Sequence, residues 1–167
     1  MFAFLAYTGC RRSELVRSEL SDIDFDERQI VIREKKRCKV LCESIRHVPM
    51  HDRLGEILQD WLEVHPGGRW TFVAPLEMPG RRRRENPEPL TVDAARNQFD
   101  AALAASKWCV VSGFHVLRHS FGANLARSGR ISETTIGEWM GHTTREMRKL
   151  YQHLFPQDGV GQINALD

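Results

Sequence analysis

Two short segments of this chain read as β-strand, and that scarcity constrains the fold more than any other feature. Ile30-Val31-Ile32 is a β-branched run, and a second strand is expected from Ile45 to Met50. Asp22 to Glu27 reads as the turn before the first. A basic loop joins the two, so the pair is expected to form a long hairpin. Thr71-Phe72-Val73 is at most one more short strand. The other patterned segments are helical. Residues 1–20 read as helix broken near Thr8-Gly9. Leu54, Ile57, Leu58, Trp61 and Leu62 recur at helical spacing up to a stop at His65-Pro66-Gly67-Gly68. Thr91 is a fitting N-cap for a helix to about Ser106, with Asp93 in its first turn. Further helices are expected from about Phe114 to Arg127 and from Glu133 to Met140. A last one runs from Thr143 or Thr144 to Pro156, with Met147, Leu150 and Leu154 as its apolar stripe. Thr143 and Glu146 have capping-box spacing. The expected class is α+β, mainly α-helical, with a small antiparallel β-sheet.

A chain of 167 residues suits one domain with a sizeable core. No apolar run approaches the ~20 residues a membrane span needs. The apolar start, Met1 to Tyr7, lacks the basic opening and length of a signal peptide and reads as core helix. Cysteines at 10, 38, 42 and 109 form no CxxC pair and no zinc pattern, so free thiols in a cytoplasmic protein are expected. Net charge is only +2, which alone points to no acidic partner. The charge is clustered, however, at Arg11-Arg12, from Arg33 to Lys39, and at Arg81 to Arg84. Such clusters can neutralise phosphates locally.

Three motifs stand in order: Thr8-Gly9-Cys10-Arg11-Arg12-Ser13-Glu14-Leu15, then His115-Val116-Leu117-Arg118-His119, then Met140-Gly141-His142 with Tyr151 nine residues on. Together they resemble the tyrosine recombinase family of the phage-integrase type, with its TGxRxxEL, HxLRH and LGH-to-tyrosine segments. The resemblance covers nearly the whole chain, including the hairpin after the first arginine. It implies the DNA breaking-rejoining catalytic-domain fold over residues 1–167. Family members usually carry an N-terminal helical domain that closes a clamp on DNA. With only ten residues before Arg11, that domain is expected to be absent here.

The resemblance also implies a site. Arg11 and Arg118 match the family's two arginines. Their planar forks can bond two phosphate oxygens at once and stabilise the charge built up in transesterification. Arg12 is a rival to Arg11, though the motif spacing favours Arg11; Glu14 reads as support for the arginine or the backbone. His115 shares a helix face with Arg118 and is a candidate general acid/base. His119 is expected to point elsewhere and to serve structure. His142 is expected to donate to the phosphate. Tyr151 is the expected nucleophile, with a phenol that needs help to react near neutral pH. Lys35, at the end of the first strand, is the expected acid for the departing oxygen, with Lys36 and Lys39 as rivals. Arg12, Lys36, Lys39, Arg81, Arg82, Arg83 and Arg84 are candidate DNA-backbone contacts. The run at 81–84 has no counterpart in the family motifs and lies in an expected exposed loop.

The function implied is site-specific recombination of double-stranded DNA without cofactor or metal. It would proceed through a 3′-phosphotyrosyl intermediate and a Holliday junction, by a homo-tetramer on two synapsed duplexes that is a monomer without DNA. A type IB topoisomerase and a catalytically silent DNA-binding module are the alternatives. A metal-dependent nuclease fits poorly, because no acidic cluster has ligand spacing.

Overall fold

The computed structural model describes residues 1–34, 45–74, 76, 85–107, 113–142 and 144–155. Among them, helix dominates and one small antiparallel sheet stands at the side, as the sequence suggests. The helices are α1 (Phe2–Thr8), α2 (Arg12–Leu15), α3 (Asp52–Glu63), α4 (Val92–Ala104), α5 (His115–Ser128), α6 (Glu133–Met140) and α7 (Thr144–Tyr151). The strands are β1 (Ile23–Asp24), β2 (Gln29–Arg33) and β3 (Ile45–Pro49), in sheet order β1-β2-β3. No described helix is long and apolar enough to cross a membrane.

The hairpin register sets Ile30 opposite Val48 and Ile32 opposite Arg46. Because side chains alternate along a strand, these four share the inward face. Three are apolar; the fourth is a buried arginine. The span expected to be only a turn, Asp22 to Glu27, contains β1. Ile23 pairs with Ile30 and Asp24 with Gln29, which leaves Phe25 to Arg28 to make the turn.

The opening helix is shorter than expected. After α2 the backbone straightens and pairs with a distant segment. Leu20 N–H donates to the Arg69 carbonyl at 2.9 Å, and Thr71 N–H donates to the Ser18 carbonyl at 2.9 Å. These bonds take the backbone groups that a longer helix would use itself. They also explain why Thr71 to Val73 makes isolated bridges and not a strand of the sheet: Trp70 bridges Glu19 and Val73 bridges Pro89. The cap at Thr91 is as expected, its hydroxyl accepting from Ala94 N–H at 3.1 Å.

Two apolar clusters hold the molecule. The larger gathers Phe4, Leu5, Leu15, Ile30, Val48, Leu54, Leu58 and Phe99 from α1 to α4 and the hairpin. The smaller joins α5, α6 and α7 through Ala126, Ile136, Met140, Met147 and Tyr151. Here the expected stripe of α7 is corrected. Met147 is fully buried, but Leu150 is 40% exposed, and the inward position one turn after Met147 belongs to Tyr151.

Candidate active site

Arg11 precedes α2, and Glu14 lies in that helix's only turn. The Glu14 carboxylate accepts from the Arg11 backbone N–H at 2.8 Å and from Arg11 Nη1 at 2.8 Å. It therefore both caps the helix and aims the guanidinium. Arg11 Nη2 reaches across the fold to the Gly141 carbonyl at 3.0 Å. The first motif thereby touches the third.

Arg118 completes that junction. It is 4% exposed, on the inward side of α5, and donates through its two Nη groups to the carbonyls of Gly9 and Met140. Burial, then the charges of Arg11 and Arg46, bring its pKa down to about 10, so it remains a cation at neutral pH. Cys10, Arg11, Arg12, Arg96, His115 and Arg118, with Gly113 and Phe114, line a cavity of about 150 Å³. His115 stands at its exposed side. Desolvation, then the neighbouring His119, Arg118, Arg11 and Arg12, lowers its pKa, which keeps the imidazole neutral and able to take a proton. The Cys10 thiol is pushed up to about 12 by burial and stays protonated.

Gly141 ends α6 with φ +62°, a left-handed turn that most side chains resist. A Cβ there would also lie 2.3 Å from Glu34 Oε1. The turn delivers His142 beside Tyr151, with ring centroids 6.5 Å apart and planes at 17°. His142 Nδ1 is buried and has no hydrogen-bond partner among the described residues. Burial, then the charges of Arg118 and Arg11, lowers the His142 pKa to about 4, so the ring is neutral near pH 7. Tyr151 is 3% exposed. Burial raises the pKa of its phenol, against a smaller opposing pull from Arg118.

The structure therefore brings Arg11, His115, Arg118, His142 and Tyr151 into one region from four separate elements. Arg12 joins the same cavity, its guanidinium 6.0 Å from the centre of the Phe114 ring. Lys35, Lys36, Lys39 and Arg81 to Arg84 lie outside the described residues.

Two participants escape the sequence reading. Arg46 on β3 is 8% exposed and bonds Glu14 Oε2 at 2.7 Å, Glu34 Oε1 at 3.0 Å and the Trp139 carbonyl at 2.7 Å. It ties the hairpin to α2 and to the end of α6. A signal was available: Arg46 falls in the inward phase of its strand with Val48, where a charge must find partners. His119 is the other. It does not point away from the site, since its Nδ1 lies 2.9 Å from Tyr151 Oη. The signal here was its spacing of four from His115, which puts both on one helix face.

A mainly helical scaffold with a small antiparallel sheet is the fold of tyrosine recombinase catalytic domains. The Phage integrase family model matches residues 1–158, and the chain belongs to that family. An integrase/recombinase of Escherichia coli is 27% identical across the whole chain, which covers 58% of that protein. Tyrosine recombinase XerA of Thermococcus onnurineus is 26% identical over 90% of the chain and 49% of its own length. The chain thus spans about half the length of the curated relatives it matches. Among solved structures, a XerA recombinase superposes with a TM-score of 0.71 at 21% identity, over 98% of this chain and 55% of that one. The catalytic domain of bacteriophage HP1 integrase gives 0.62 at 20% identity, over 99% and 79%. A XerH recombinase bound to a palindromic difH substrate gives 0.66 at 20% identity, over 99% and 44%.

Proposed function

We propose that this chain is the catalytic unit of a site-specific DNA recombinase, working by metal-free transesterification. The observation that carries the reading is the junction at Gly141: Arg11 and Arg118 both bond the turn that presents His142, and His142 stacks beside Tyr151. Catalytic cations and candidate nucleophile are thus coupled through one short backbone segment.

In the reaction, Tyr151 Oη attacks a phosphodiester phosphorus. Arg11 and Arg118 bond the non-bridging oxygens, where charge grows as the phosphorane forms. His142 donates an N–H to the same group; a buried ring nitrogen without a partner is suited to that. His115 serves as an acid/base at the cavity. The 5′-oxygen leaves as a hydroxyl, protonated by a hairpin lysine, for which Lys35 is our choice. The 3′-phosphotyrosyl bond keeps the energy of the phosphodiester, so a 5′-hydroxyl of a partner strand can rejoin without ATP. The partners in this reading are double-stranded DNA, bearing a Holliday junction between strand exchanges, and other copies of the chain in a tetramer. The place of action would be the cytoplasm.

The test is covalent trapping of the full natural chain on a pool of nicked duplexes in EDTA, read on a denaturing gel. A protein–DNA adduct is expected from wild type and none from Tyr151→Phe, with DNA binding kept in both. Binding without any wild-type adduct would make this a silent DNA-binding module. Relaxation of supercoiled circles without exchange of strands would favour a type IB topoisomerase.

A further inference from the structure

His119 is the group that touches the reactive oxygen of Tyr151, and the reading above has no task for it. Its Nδ1 lies 2.9 Å from Oη, with ring centroids 6.2 Å apart and planes at 50°. That separation is a full hydrogen bond, in the range a general base needs. His115 stands one turn earlier on α5, its ring centroid 6.4 Å from that of His119, and faces the arginine cavity. The two histidines therefore meet different parts of the site. We infer that His119 is the catalytic base that takes the Tyr151 proton as the phenol attacks. The inference rests on Tyr151 being the nucleophile.

The surroundings fit this task. The phenol ring packs among Met140, Met147 and Gly122. Burial holds it protonated at rest, so the proton must leave during attack. His119 is exposed on its other side and can pass the proton to solvent. In the step, the Oη–H bond breaks and the proton moves to Nδ1 of a ring that carries its own hydrogen on Nε2. The freed pair on Oη forms the Oη–P bond. The P–O5′ bond breaks with its electrons on O5′, which takes a proton from a lysine ammonium. Rejoining runs the same transfers backward, His119 returning the proton to Oη.

Two substitutions separate proton transfer from simple orientation. Asn at 119 can accept the phenol hydrogen bond but cannot take its proton; Ala can do neither. The rate of adduct formation is measured in EDTA on a nicked duplex recovered from the wild-type adducts. We expect His119→Asn and His119→Ala each to slow it about 100-fold or more, with DNA binding and thermal midpoint close to wild type. Added imidazole should restore much of the rate to His119→Ala. A near wild-type rate in His119→Asn would mean the bond only orients the ring and would overturn the proposal. A faster rate in either variant would mean that His119 holds the tyrosine back, and a slow His119→Ala that imidazole does not help would equally sink it. An adduct that survives Tyr151→Phe removes the nucleophile reading and this one together; Tyr151-dependent adducts with unimpaired His119 variants remove this one alone.

Discussion

Glu14 divides its carboxylate between two arginines from different parts of the chain. Oε1 takes Arg11 Nη1, while Oε2 takes both the Arg11 backbone N–H and Arg46 Nη2. Burial on its own would raise its pKa, but the bonds and charge of Arg46 and the bonds of Arg11 outweigh it and hold the pKa at about 2. The folded chain therefore favours the ionised form more than the unfolded chain does. Its stabilisation is present in full above the ordinary carboxylate range and is lost as pH falls through that range toward 2, worth on the order of 3 kcal/mol. Urea unfolding at a series of pH values should show wild type losing stability across that window and Glu14→Gln losing less over it. Equal slopes would mean that Glu14 is not the group responsible. Reading this triad from the sequence reaches only halfway. Glu14 and Arg11 are three residues apart, so local spacing pairs them. Arg46 is 32 residues from Glu14, and His119 is 32 from Tyr151; only tertiary packing makes those pairs.

At the scale of elements, α5 carries the site because Arg118, His119 and Gly122 meet α6 and α7 while His115, one turn before His119, faces the arginine cavity. At Gly122 a Cβ would sit 2.7 Å from Met140 Sδ and 2.9 Å from Tyr151 Cζ, so a glycine here is what lets the tyrosine ring lie against the helix. Gly122→Ala should cost about 1–3 kcal/mol of stability by overpacking. It should also slow adduct formation by displacing the phenol from His119. Unfolding curves and trapping check the two effects, and an unchanged trapping rate would show that the ring has room to move. The helices were legible where apolar spacing and caps agree, as in α3, α4 and α6. The misreadings share a cause. The bridge at Glu19 and the pairing of β1 depend on backbone partners elsewhere in the chain, which a local pattern does not register. Leu150 misled for another reason: α7 has apolar residues on two sides, and packing against Ile136 and Met140 selects the side with Met147 and Tyr151.

For the whole molecule, a net charge of +2 leaves little long-range pull on DNA. Attraction has to come from local concentrations such as the cavity where Arg11, Arg12, Arg96 and Arg118 converge. Arg12 has neither of the backbone-carbonyl contacts that engage Arg11 and Arg118, which suits it to grip a flanking phosphate. Arg12→Ala should weaken DNA binding evenly across sequences and flatten the log–log dependence of affinity on salt by about one unit. Covalent chemistry should persist. Titrations at several salt concentrations test this; an unaltered slope would place Arg12 off the DNA.

The smaller apolar cluster has a consequence of its own. Tyr151 is one of its five buried members, beside Met140 and Met147, and it is also the residue proposed to react. A nucleophile that doubles as core packing can meet DNA only when that cluster loosens enough to admit a phosphate beside the His119–Tyr151 pair. The frequency of cleavage is then tied to the opening equilibrium of α6 and α7 as much as to the barrier at phosphorus. Amide exchange in those two helices would be a clock for the enzyme. Mutations that loosen the cluster, far from any phosphate, would set how often the chain is armed.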